Sequence, residues 1–169
     1  MPVSDQGVSR ERYSLIPRTL IFLTRGERVL LLRGSAEKRL WPNQYNGVGG
    51  HVERGEDVLS AAGRELREET GLAVDTLRLV GTITIDAGPG AGIVVFVFKG
   101  ECEEGEPTPS PEGSLEWVWF NEVAKLPLVE DLYTILPRVL TMQPSEPPFS
   151  YHYSYDEFGR TLRITRKDS

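Results

Sequence analysis

With one cysteine, Cys102, the chain can form no internal disulfide, and with only two histidines, His51 and His152, it lacks the ligands of a structural zinc site. Long apolar runs are also missing. The stretch 20–23 is far too short for a secretory or membrane-spanning segment, and residues 1–12 are polar. These absences predict a soluble, cytoplasmic protein that binds no membrane. A continuous basic surface is lacking as well: residues 1–54 hold nine Lys/Arg against five Asp/Glu, the remainder ten against twenty, and the net charge is −6. A duplex backbone needs a basic track that displaces counterions, so the charge distribution disfavours a nucleic-acid polymer as partner. A small anionic substrate fits if a metal ion carries positive charge to it.

A chain of 169 residues suits one domain, expected over 13–169 behind a flexible leader at 1–12. Residues 18–24 and 29–32 read as strands around Arg25-Gly26-Glu27. A polar loop over 34–45 runs into Asn46-Gly47-Val48-Gly49-Gly50, where closely spaced glycines permit close approach to a ligand. A helix is predicted over 57–70, stopped by Gly71. Strands follow at 77–85 and 93–98, the latter continuously apolar and therefore expected at the sheet's centre, buried on both faces. Residues 101–113 are acidic and proline-rich, hence a loop, with Cys102 an ordinary member of it. A strand at 115–120, a helix at 128–140 broken or kinked by Pro137, and a hairpin from 149–155 and 161–164 complete an α/β sandwich.

The chemistry concentrates on the first helix. At 100° per residue Glu65, Glu68 and Glu69 share one face, while Leu59, Ala62 and Leu66 form an apolar stripe beside it. Like charges at i,i+4 repel, so a cation is required to relieve them. Arg64 reaches Glu68 at i+4, and clustered hard oxygen donors suit Mg²⁺ or Mn²⁺. A Glu/Arg-rich helix alone would read as a solvated face. Its spacing says more: Gly50, five residues, Glu56, seven residues, then Arg64-Glu65-Leu66-x-Glu68-Glu69-x-Gly71-Leu72.

That pattern resembles the MutT/Nudix hydrolase family at every fixed position of its box. The resemblance implies a Nudix α/β/α sandwich with a mixed β-sheet and a loop-helix-loop catalytic motif. It also implies a divalent-metal enzyme that cuts phosphoanhydride bonds. Glu65, Glu68 and Glu69 would then be metal ligands, with the Gly49 carbonyl, and Arg64 would orient them. Glu56 would support the loop-helix geometry. A further acid from outside the box is expected at Glu112, preferred over Glu116 because its loop is freer to reach.

Two further stretches resemble the oxidised-purine nucleoside triphosphatase (8-oxo-dGTP diphosphatase-like) branch: Tyr45-Asn46-Gly47-Val48-Gly49-Gly50, and the segment from Ser110 to Asp131. They imply nucleoside recognition by Asn46 and by Asp131 or Glu130, and a triphosphate substrate cut to monophosphate and pyrophosphate. Arg33, Lys38 and Arg39 are candidates to hold phosphates. Pro89, 17 residues beyond Leu72, gives the ADP-ribose or nucleotide-sugar pyrophosphatases a weaker claim. A non-catalytic nucleotide-binding module is disfavoured because the box keeps its carboxylates. No signature joins either histidine to a serine or cysteine nucleophile. Monomer and homodimer both stay open.

Overall fold

The computed structural model describes all residues except 1, 8, 10, 38, 39, 109, 110, 168 and 169. After a 3₁₀ turn at Val3–Gln6 the strands are β1 (Ser14–Arg25), β2 (Arg28–Gly34), β3 (Tyr45–Asn46), β4 (Arg78–Asp86), β5 (Ala91–Glu101), β6 (Gly113–Trp119), β7 (Phe149–Tyr155) and β8 (Leu162–Lys167). Helix α1 (Val58–Thr70) precedes β4, and α2 (Leu132–Thr141) precedes β7. Among the described residues these strands form one sheet in the order β3-β2-β1-β5-β4-β7-β8, with β6 branching from β2. The pairs β1/β5 and β4/β7 are parallel and the others antiparallel, so the sheet is mixed as expected.

Period-two alternation sends successive side chains into separate cores. Phe22, Val29, Leu31 and Val97 pack on the α2 side with Leu132, Ile135 and Leu136, while Ile21, Leu30 and Phe98 pack with Ala62 and Leu66 of α1. Layers of helix, sheet and helix result. Strand β5 lies between β1 and β4, but among its apolar side chains only Val97 and Phe98 are fully buried. Ile93 and Val95 are half-buried because they wall a cleft, which corrects the expectation of a wholly buried strand.

Local signals set the ends of α1. Asp57 accepts hydrogen bonds from the N–H groups of Leu59 (2.9 Å) and Ser60 (3.0 Å), and Gly71 closes the helix in the left-handed conformation (φ 71°). Leu59 is exposed, contrary to the apolar stripe read from the sequence, because Val58 takes the inner position of the first turn. Helix α2 starts four residues later than the expected 128. The backbone of Pro127 and Val129 is extended and exchanges hydrogen bonds with Tyr45, at 2.9 Å and 3.0 Å. Pro137 sits inside α2 without ending it. Cys102 is buried in the α1-side core rather than lying loose in its loop. No helix among the described residues is long and apolar enough to cross a membrane.

Candidate functional site

The glycine-rich segment crosses the N-terminal half of β1. Thr19 N–H donates to Gly50 O (2.8 Å) and Ile21 N–H to Val48 O (2.7 Å). This contact needs glycine at 49, where φ is 150° and a Cβ would lie 2.2 Å from the Thr19 carbonyl oxygen. At Gly50 a Cβ would lie 2.5 Å from the Glu65 carboxylate. Backbone and acid are thus packed directly together, and Gly49 N–H donates to Glu69 Oε2 at 3.2 Å.

Beside this junction opens a cleft of about 680 Å³, within the range of small-molecule sites. Glu65, Glu69, Gly49 and Glu112 line it, as do Asn46, Glu130 and Asp131. Six of the residues singled out from the sequence therefore meet in one cavity together with Gly49. Glu68 is not among them: its side chain is 60% exposed, against 14% for Glu65, and it is held at the helix surface by Arg64 (3.0 Å). Arg33 is not among them either. It alternates outward between buried Leu32 and Gly34, lies over the Tyr45 ring (5.9 Å) and faces a separate cavity with Ser35, Asn43 and Ser114. Lys38 and Arg39 lie outside the described residues.

Arg64 organises the acids. Its guanidinium grips both oxygens of Glu56 (2.7 and 3.1 Å) and donates to Glu65 (2.9 Å), Glu68 (3.0 Å) and the His51 carbonyl (3.0 Å). The Arg64 pKa is raised by Glu56 and then Glu65, while Glu56 is held below its ordinary value by Arg64 and by the Glu53 N–H. Glu56 accepts that N–H at 2.7 Å, so it ties the loop to the helix through Arg64.

Glu112 arrives from a loop fastened at several points. Arg25 donates to Cys102 O (2.9 Å), to Glu106 (3.1 Å) and to Gly105 O, and stacks over Trp117 at 4.3 Å. Thr108 N–H reaches Thr70 O at 2.9 Å. Glu116, by contrast, points away and accepts the Tyr45 hydroxyl at 2.9 Å, which raises the phenol's pKa after burial has done so. Of the two candidate acids only Glu112 borders the cleft.

Asp131 stands at the N-terminus of α2 but makes no side-chain cap hydrogen bond. Burial raises its pKa. Asn46 accepts the Gly47 N–H (2.8 Å) from its place on β3. The cleft also contains residues not singled out from the sequence: Tyr153 of β7, Trp41, and the pair Arg18–His51, joined by a 3.1 Å hydrogen bond from Nε to Nε2. A period-two tyrosine pattern at 151, 153 and 155 marked a strand face without saying what it faced.

Among the described residues no group of three or more His, Cys, Asp or Glu side chains encloses an ion position. A small hard cation keeps waters and takes one or two carboxylates plus substrate phosphate rather than an all-protein cage, so it needs no enclosed set. The Gly50 cradle around Glu65 fits it too, because the carboxylate lies against bare backbone.

The NUDIX domain model matches residues 15–139. The oxidized purine nucleoside triphosphate hydrolase of Mus musculus is 31% identical over 151 residues, 89% of this chain and 93% of its own length. Its namesake from Danio rerio is 34% identical over 122 residues, 66% of this chain and 77% of its own. Among solved structures, the MutT protein from Bacillus halodurans superposes with a TM-score of 0.73 at 29% identity, covering 89% of this chain and 97% of that one. The matched span contains both the acid row and the cleft-lining Asn46 and Asp131, and so the chain belongs to the NUDIX domain family and is a Nudix hydrolase.

Proposed function

We propose that the protein hydrolyses a modified purine nucleoside triphosphate to the monophosphate and pyrophosphate, using Mg²⁺ or, in its place, Mn²⁺. The observation that carries this reading is the shared cleft: the acids Glu65, Glu69 and Glu112 and the base-reading candidates Asn46 and Asp131 line one cavity of about 680 Å³. A nucleotide calls for both sets, a metal-binding group for its phosphates and polar groups for its heterocycle.

Glu65, Glu69 and Glu68, with the Gly49 carbonyl, are the groups that would hold the ion. When bound, such an ion neutralises phosphoryl oxygens and acidifies water. Arg64 donates to both Glu65 and Glu68 and fixes their direction, so like charges on one helix face persist without splaying. Glu112 adds an acid from outside the helix, as a further ligand or as acceptor of the water's proton. Asn46 and Asp131 orient the nucleoside, and Glu130, exposed at the rim, borders the base. Relatives bearing the name oxidized purine nucleoside triphosphate hydrolase support the substrate class.

The test is a substrate panel with product identification, run with Mg²⁺ and with a chelator. Oxidised purine triphosphates should be turned over ahead of ADP-ribose and nucleotide sugars, with pyrophosphate released and activity lost in the chelator. A panel led by ADP-ribose or a nucleotide sugar, or turnover indifferent to chelation, overturns the reading.

A further inference from the structure

Six carboxylates line the cleft, and among the described lining residues Arg18 is the single lysine or arginine. A guanidinium in such surroundings ordinarily closes an ion pair with an acid. Arg18 does not. Its Nε donates to His51 Nε2 at 3.1 Å, and its two terminal nitrogens meet no acceptor among the described residues. The side chain is half-buried, so it is a held group rather than a loose surface cation.

The backbone fixes where this cation stands. Arg18 and His51 face each other across an antiparallel bridge. Their neighbours Thr19 and Gly50 are joined twice, Thr19 N–H to Gly50 O (2.8 Å) and Gly50 N–H to Thr19 Oγ1 (3.3 Å), and Gly50 lies against Glu65. The His51 carbonyl accepts from Arg64 at 3.0 Å, so one residue meets both the organiser of the acids and Arg18. The open edge of the guanidinium is thereby set beside the acids that would hold the ion.

We propose that Arg18 binds the substrate's polyphosphate, its terminal nitrogens donating to phosphoryl oxygens while His51 holds Nε. This rests on the nucleotide reading above and adds a protein contact for the phosphates. A triphosphate carries more negative charge than one divalent ion offsets, and a cleft lined with carboxylates repels the remainder. A planar guanidinium presents paired donors to a phosphoryl group. The imidazole lone pair orients it without cancelling its charge, as a carboxylate partner would.

The test compares wild type with Arg18→Gln in Mg²⁺, reading kcat/KM for 8-oxo-dGTP, the Ki of the phosphate-free nucleoside 8-oxo-deoxyguanosine, and Tm with and without inorganic tripolyphosphate. The variant should lose about 10- to 30-fold in kcat/KM while the nucleoside's Ki stays within about twofold. With tripolyphosphate about 100-fold above its wild-type Kd, the rise in Tm should be about halved in the variant, because a ligand bound about 10-fold more weakly then contributes half the linkage free energy. Without ligand the two proteins should melt within about 2 °C of each other. Equal losses on triphosphate and nucleoside, an unchanged kcat/KM, or a tripolyphosphate effect that is absent from wild type or equal in both proteins would overturn the proposal. Wild-type enzyme that left 8-oxo-dGTP intact would sink the proposed substrate instead; the tripolyphosphate melts involve no base and would still decide whether Arg18 holds phosphate.

Discussion

Replacing Gly50 with alanine should leave the fold standing and remove most of the activity. A Cβ at this position would meet Cδ and Oε1 of Glu65 at 2.5 Å and Oε2 at 2.6 Å. Ordinary contact begins at 3.4 Å, so the carboxylate has to withdraw by about 1 Å. Glu65 is a flexible acid reached at its far end, and Gly50 is not in the left-handed region, so the backbone need not move. Tm should therefore change by no more than about 3 °C. A shift of about 1 Å in a group that fixes reacting atoms costs on the order of 100-fold in rate, and kcat should fall by that amount. Gly49→Ala is the contrasting control: its Cβ strikes the Thr19 carbonyl oxygen at 2.2 Å and φ is 150°, so neither side can yield. It should lose about 3 kcal/mol or more, seen as a Tm drop of roughly 6–12 °C. Steady-state kinetics and thermal melts on the two variants decide the matter. If Gly50→Ala kept full kcat, the position of Glu65 would be irrelevant to the reaction; if it melted with Gly49→Ala, the backbone rather than the acid would be absorbing the clash.

Other outcomes follow from the same geometry. Glu68→Gln and Glu69→Gln should nearly abolish turnover while leaving the far-ultraviolet spectrum unchanged. In addition, millimolar Mg²⁺ should raise the Tm of wild type by linkage but not that of Glu69→Gln; a Tm insensitive to Mg²⁺ in both would remove Glu69 from the ion's ligands. Asp131 has a folded pKa above its ordinary 3.8, because burial favours the neutral acid. The folded state thus binds the proton more tightly than the unfolded chain, and this contribution to stability is present below the ordinary value and lost as pH rises through the folded one. Asp131→Asn should accordingly melt above wild type at pH 8, with the gap closing towards pH 4, and a gap that widened on acidification would contradict the raised pKa.

The features that could be read from the chain are those written locally. The caps Asp57 and Gly71 act within a few residues of themselves, so the helix between them was legible. The i, i+3 and i+4 spacing placed Glu65, Glu68 and Glu69 on one face, and Arg64 reaches Glu68 one turn away as expected. The start of α2 was not legible, because residues 126–129 are held extended by Tyr45, some eighty positions earlier. Arg33 likewise showed its charge in the sequence but not the face on which its strand would put it.

The reaction class came from the sequence through its resemblance to the Nudix box, whose glycine and carboxylate spacing along one loop and helix is a short-range property. Tertiary structure alone decided how those carboxylates divide. Packing of α1 against the sheet puts Glu65 and Glu69 in the cleft wall and leaves the Glu68 side chain 60% exposed against Arg64, although all three are neighbours on the helix. It also separated Glu112 from Glu116, four residues apart, by giving the second to Tyr45, and it turned Tyr153 towards Asp131. Each of these depends on which distant strand becomes a neighbour, and no local pattern encodes that.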